Sequence, residues 1–191
     1  MAQKSFLLCL VDLSESCTLV PASIYLANPK YLQLIQADPL PLHIARIARE
    51  VDVSWDIAVR ASRLLNVNPD TVESLQLVRY TNPTAEYHLH HDHGGFYGKD
   101  TEHRTWTMLI FLNDVAAGGN TAFPNLDLEV TPRAGDALVW SNIKETGEVD
   151  PDMVHMGKPP TREGVEKYAV NVWFGAEYLS RRQKELNEWQ H

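Results

Sequence analysis

The stretch Tyr87-His88-Leu89-His90-His91-Asp92-His93-Gly94-Gly95 holds four of the chain's eight histidines, with Asp92 set between two of them. Residues two apart on an extended strand share a face. His90 and Asp92 therefore present an imidazole and a carboxylate side by side, two of the three ligands of a 2-His-1-carboxylate iron site. A pair this short arises by chance, so chemistry also requires a third ligand, an anchor for a co-substrate and a rigid frame. His88 shares the ligand face and is a candidate for lining the mouth of the site. His91 and His93 alternate away from it and are expected at the surface. A second group lies near the end of the chain, where Lys167, Ala169, Asn171 and Trp173 alternate with Tyr168, Val170, Val172 and Phe174. The second set is an ordinary core face. The first mixes a cation, an amide and an indole, which suits the lining of a polar cavity, although a lysine stem can also reach out to water.

The elements that must position these groups change character along the chain. Residues 5–11 form an apolar run expected as a buried strand. One or two helices are expected over residues 15–37, and a short helix over 43–50 follows Pro39 and Pro41. Ser54 is a plausible N-cap for the next helix, in which Ile57, Ala61, Leu64 and Leu65 fall on one face. From Leu75 onward short β-rich runs at 73–80, 105–112, 137–140 and 167–174 are separated by turns such as Asn113-Asp114 and Gly118-Gly119-Asn120. The expected fold class is mainly β with supporting helices, a barrel or sandwich. One domain is expected over 1–191, with 1–72 mostly helical support, 73–178 the β core and 179–191 a closing helix. Trp55, Trp106 and Trp140 are expected as core aromatics.

The 191 residues, 44% hydrophobic and 22% charged, suit one well-buried domain. A net charge of −8 argues against a nucleic-acid partner, which needs a basic face. The two cysteines, Cys9 and Cys17, suggest no disulfide framework. No apolar run approaches the ~20 residues of a membrane span, and residues 5–11 make a poor signal peptide, so the expected address is the cytoplasm.

Taken together, the motifs resemble the prolyl 4-hydroxylase branch of the Fe(II)/2-oxoglutarate-dependent dioxygenases. The resemblance is carried by Tyr87-x-x-His90-x-Asp92, Arg104-x-x-Thr107, Phe111-Leu112-Asn113-Asp114-Val115 and Gly118-Gly119-Asn120-Thr121-x-Phe123-Pro124. It continues through Pro132-x-x-Gly135-Asp136-Ala137-Leu138 to His155, Gly164, Lys167 and Trp173. It implies a double-stranded β-helix, the jelly-roll of cupin-like proteins, with His90, Asp92 and His155 as ligands of Fe(II). Lys167 would anchor the far carboxylate of 2-oxoglutarate, assisted by the hydroxyls of Thr121 and Tyr80. Arg104 matches an arginine of the substrate side, counted as catalytic, and Trp173 and Tyr87 match lining aromatics. The implied reaction consumes dioxygen, converts 2-oxoglutarate to succinate and carbon dioxide, and hydroxylates an unactivated C–H bond; ascorbate is a candidate reductant. Asp92, where related halogenases carry a small residue, favours hydroxylation.

The sequence departs from the pattern in three places. Phe111 stands where many relatives have a tyrosine. Gly164 and Lys167 are one residue further apart than usual, which implies a bulge or altered turn. Gly175 stands where several peptidyl-prolyl enzymes carry a histidine. The expected substrate is a proline in a peptide, a protein or the free amino acid. The alternatives are the same iron chemistry on a non-proline amino acid or small molecule, or a metal-binding or oxygen-sensing β-barrel without turnover. A nucleic-acid demethylase is disfavoured by the acidic charge and by Trp173.

Overall fold

A computed structural model describes residues 9–12, 32–34, 42–47, 52–100 and 103–175. The β-rich runs become strands because β-branched and aromatic residues alternate between two buried surfaces. In chain order the strands are β1 (Cys9–Asp12), β2 (Leu32–Leu34), β3 (Leu42–Ile47), β4 (Leu75–Tyr80), β5 (Tyr87–His90) and β6 (Arg104–Phe111). They continue with β7 (Thr121–Phe123), β8 (Leu128–Val130), β9 (Asp136–Ser141), β10 (His155–Gly157) and β11 (Lys167–Gly175). One α-helix, α1 (Asp52–Leu65), joins β3 to β4 by way of a short 3₁₀ turn.

All ladders between these strands are antiparallel and make two sheets, one ordered β1-β9-β6-β11-β4-β3-β2 and the other β5-β10-β7-β8. Alternation divides the large sheet into two faces. Met108, Ile110, Val139, Val170, Val172 and Phe174 join Ala58 and Ala61 of α1 in one core. Leu109, Phe111, Leu138, Trp140 and Ala169 point the other way and pack with Phe123 of the small sheet. The space between the sheets is therefore where strand alternation delivers Thr107, Lys167, Asn171 and Trp173.

The short helix expected over 43–50 is instead β3, which pairs with β4 from Leu42↔Tyr80 to Ile47↔Leu75. Cross-strand pairing overrides the weak helical preference of this segment. The first third of the chain thus supplies strands to the large sheet as well as bracing it. Within the region expected to hold helices over 15–37, the described residues 32–34 are the edge strand β2; the rest of it, and the expected helix at 179–191, lie outside the described residues. The helix α1 begins at Asp52, so Ser54 is buried inside it rather than capping it. Its core face is carried by Ala58 and Ala61, flanked by Ile57 and Leu65, whereas Leu64 and Trp55 are exposed. The extra residue between Gly164 and Lys167 is absorbed by a turn in which Val165 N–H donates to the Arg162 carbonyl, with Gly164 at φ +75°. Among the described residues no helix is long and apolar enough to cross a membrane.

Candidate active site

His90 ends β5, Asp92 follows it by two residues, and His155 begins β10 directly opposite His90. The third histidine, distant in sequence, is thus a cross-strand neighbour. His90 Nε2 lies 3.5 Å from Asp92 Oδ1, and His155 Nε2 lies 3.6 Å from Asp92 Oδ2. The ligating atoms of the three all fall within 4.8 Å of one another, a spacing that a single ion can bridge. Each imidazole is tied from behind: His90 Nδ1–H donates to the His88 carbonyl at 2.7 Å, and His155 Nδ1–H to the Met153 carbonyl at 2.9 Å. These bonds fix the tautomer and aim both Nε2 lone pairs at the shared point.

The electrostatics suit a cation. Burial opposes ionisation of Asp92, but His155, His90 and the Thr107 hydroxyl outweigh it and hold the carboxyl well below its usual range. Burial pushes His155 down to about 4, so it is a neutral imidazole at pH 7. A neutral imidazole at His155 and an ionised carboxylate at Asp92 are protonation states that metal binding requires.

The cleft that these groups face is walled by Tyr80, Tyr87, Thr121, Trp140 and Asn171. Asn171 donates to Gln76 Oε1 at 2.8 Å, tying β11 to β4 beside the cleft. Behind Tyr80, the Lys167 ammonium sits 4.6 Å from the centre of the tyrosine ring and 6.0 Å from that of Phe111. Lys167 is 1% exposed, and its Nζ and the buried Thr121 Oγ1 have no hydrogen-bond partner among the described residues. Burial lowers the lysine to about 7. An orphaned cation and an orphaned hydroxyl are costly to bury, and an anionic ligand would satisfy both. Phe111, in place of a hydroxyl-bearing ring, leaves that side apolar. A Cβ at Gly157 would run into the Tyr80 hydroxyl, so glycine there makes room for the ring.

Several residues sit elsewhere than expected. His88 is 92% exposed beside Glu86 and does not line the cleft. The cause is a shift of register: His155↔His90 and Gly157↔Tyr87 set two steps on β10 against three on β5. This irregularity brings Tyr87 and His90 to the same side, their rings 4.6 Å apart, and turns His88 out. His91 and His93, expected at the surface, are buried. The chain leaves the strand at His90 and folds inward, where His91 donates to the Asp150 carbonyl and accepts from His93 N–H. His93 in turn accepts from Gly95 N–H. The expected substrate-side cation, Arg104, is committed to Glu73 through two bonds of 2.7 and 2.9 Å and stacks 3.9 Å above Trp173. Neither Arg104 nor Trp173 is on the cleft wall; they form a layer beside it. Gln76 and Asn142 were not singled out from the sequence: Gln76 sits among Leu75, Leu77 and Val78 of β4, and Asn142 lies just past the end of β9.

Two packed antiparallel sheets with two imidazoles and a carboxylate converging in the cleft define a double-stranded β-helix of the metal-dependent oxygenase type. The chain belongs to the 2OG-Fe(II) oxygenase superfamily, whose family model matches residues 75–175, a little over half of the chain. Fe(II), 2-oxoglutarate and dioxygen are the cofactor and co-substrates of that family. The chain is similar to the "Putative prolyl 4-hydroxylase" of Acanthamoeba polyphaga mimivirus, with 37% identity over 120 residues, 59% of this chain and 48% of the relative. It is also similar to prolyl 4-hydroxylase subunit alpha-3 of Homo sapiens, with 34% identity over 122 residues, 60% of this chain and 22% of that protein. It therefore spans about half the length of the first and about a fifth of the second. The crystal structure of the viral collagen prolyl hydroxylase of Paramecium Bursaria Chlorella virus-1, a 2OG complex, shares the fold. Its TM-score is 0.65 at 20% identity, covering 87% of this chain and 93% of that one.

Proposed function

We propose that this chain is an Fe(II)- and 2-oxoglutarate-dependent hydroxylase acting on proline in a peptide or protein. The observation that carries the dioxygenase reading is the pairing of an open three-ligand cluster with a buried, unpartnered lysine and threonine. A purely structural metal site more often closes its coordination sphere and has no use for a buried cation nearby. His90, Asp92 and His155 would hold the iron. When bound, the metal supplies oxygen activation coupled to decarboxylation of 2-oxoglutarate to succinate and carbon dioxide. Lys167 gives the far carboxylate a charge-assisted partner, Thr121 and Tyr80 supply hydroxyl donors, and the surrounding apolar wall keeps water away. Arg104 and Glu73, fixed by each other, hold Trp173 in place beside the cleft.

Proline is supported by the names of the two curated relatives, and a peptide or protein substrate by the same likeness; ascorbate would serve as the reductant that rescues uncoupled turnover. The test is succinate release against a panel of proline-containing peptides and free amino acids, with product mass read for a gain of one oxygen. Peptide-dependent succinate with hydroxyproline in the product is expected. Turnover confined to non-prolyl substrates would move the assignment to another branch of the family.

A further inference from the structure

Asp92 is gripped from behind by side chains that have no place in the reaction so far. Thr107, on β6 and wholly buried, donates its hydroxyl proton to Asp92 Oδ2 at 2.7 Å. The Thr107 hydroxyl oxygen itself accepts from Asn142 Nδ2 at 2.9 Å, and Asn142 Oδ1 accepts from Trp140 Nε1–H at 2.9 Å. Asn142 is 0% and Trp140 1% exposed. Trp140 then packs edge-on against His155, with ring centroids 4.8 Å apart at 68°. One chain of side chains therefore starts at the neighbour of one candidate ligand and ends on another.

Its direction is not a matter of rotor choice. An indole N–H can only donate, so the Asn142 oxygen must face Trp140 and its NH₂ must face Thr107. The threonine hydroxyl has one proton, and the ionised Asp92 carboxylate, which only accepts, is where it goes. Asn142 is held on both sides through its backbone, donating to the Thr105 carbonyl at 2.8 Å and accepting from Asp150 N–H at 3.0 Å. Thr107 and Trp140 are directly opposed on adjacent strands, so neither can shift alone. A valine at 107 and a phenylalanine at 140 would fill similar space without desolvating polar groups. Stability alone does not call for the polar version.

We propose that Thr107, Asn142 and Trp140 are positioning residues that act through Asp92, a one-way hydrogen-bond relay that fixes its carboxylate for the metal. Outer hydrogen bonds of this kind orient ligating groups and set metal affinity. The proposal rests on the metal-site reading above, and its test separates the two. Mn(II), an air-stable oxygen-preferring ion, is titrated calorimetrically into the EDTA-stripped full chain and its variants. Thr107→Val is expected to weaken Mn(II) binding by about 10- to 100-fold, and Thr107→Ser to recover most of the loss. Trp140→Phe keeps a ring against His155 but removes the N–H, and is expected to weaken binding roughly 3- to 10-fold, the worth of one neutral hydrogen bond. In the Thr107→Val background Trp140→Phe is expected to add little, because the relay is already cut. Wild-type affinity in Trp140→Phe, or effects of the two substitutions that simply add, would overturn the relay even if Thr107→Val failed to fold. If the unsubstituted chain takes up no Mn(II), the metal site itself falls, and the relay with it.

Discussion

At the residue scale the most informative group is Lys167, because it carries a cost that only a ligand relieves. Its ordinary value of 10.5 is lowered to about 7 by burial. Between these two pH values the unfolded chain carries a proton that the ligand-free folded chain has lost. Stability of the ligand-free protein therefore rises with pH across that window. Lys167→Met keeps the stem and removes the cation. It is expected to raise the melting temperature of ligand-free protein at pH 7, a gain of up to a few kcal/mol, while abolishing the further rise on adding 2-oxoglutarate. An unchanged response to 2-oxoglutarate would place its anchor elsewhere. The charged lysine is the form that pairs with a carboxylate, so above pH 7 binding of 2-oxoglutarate to metal-loaded protein should take up a proton. Affinity should fall by up to about tenfold per pH unit there, and calorimetry in buffers of differing ionisation enthalpy measures the uptake directly. Lys167 was legible in the sequence because alternation along its strand already put a cation, an amide and an indole on one face. His88 was misplaced for the opposite reason. A register shift is a property of two strands together, and β5 alone gives no sign of it.

At the element scale the site depends on how β11 enters the large sheet. Asn113, in the turn after β6, accepts from Tyr168 N–H at 2.7 Å and donates to the Glu166 carbonyl at 2.8 Å. It thereby clamps the residues on either side of Lys167. Asn113→Ala is expected to cost roughly 1–2 kcal/mol and to raise the 2-oxoglutarate concentration needed for turnover more than the requirement for iron. Denaturant melts and co-substrate titrations check the two halves. A second such device is the Gly118-Gly119 turn, which returns the chain to Thr121. Both glycines have positive φ, +71° and +74°, and a Cβ on Gly118 would press against the Pro159 carbonyl at 2.8 Å. The strands from β4 onward were readable because β-rich runs and turn residues alternate at short intervals. The strand β3 was not, since its pairing with β4 is decided by a partner far along the chain. The burial of His91 and His93 escaped notice because alternation ceases to apply once the strand ends at His90.

At the scale of the whole molecule, two sheets share one cleft: the small sheet supplies His90, His155 and Thr121, the loop after β5 supplies Asp92, and the large sheet supplies Lys167, Tyr80, Thr107 and Trp140. Ligands bound between the sheets should hold them together. Adding metal and 2-oxoglutarate, each at about 100-fold its Kd, should stabilise the fold by about 2.7 kcal/mol per ligand. EDTA should reverse the gain, as followed by thermal melting. The double-stranded β-helix and the convergence of the three candidate ligands could be anticipated because ordered motifs with compatible spacing recur over half the chain. The proline substrate is not legible in the same way: Arg104, expected on the substrate side, lies in a layer beside the cleft and is already paired with Glu73. The most direct test of the central claim is anaerobic addition of Fe(II) and then 2-oxoglutarate, monitored by visible absorption. A metal-to-ligand charge-transfer band is expected on the second addition, lost in His155→Ala and shifted to higher 2-oxoglutarate concentration in Lys167→Met. Intact, iron-loaded protein that develops no band with saturating 2-oxoglutarate would contradict it.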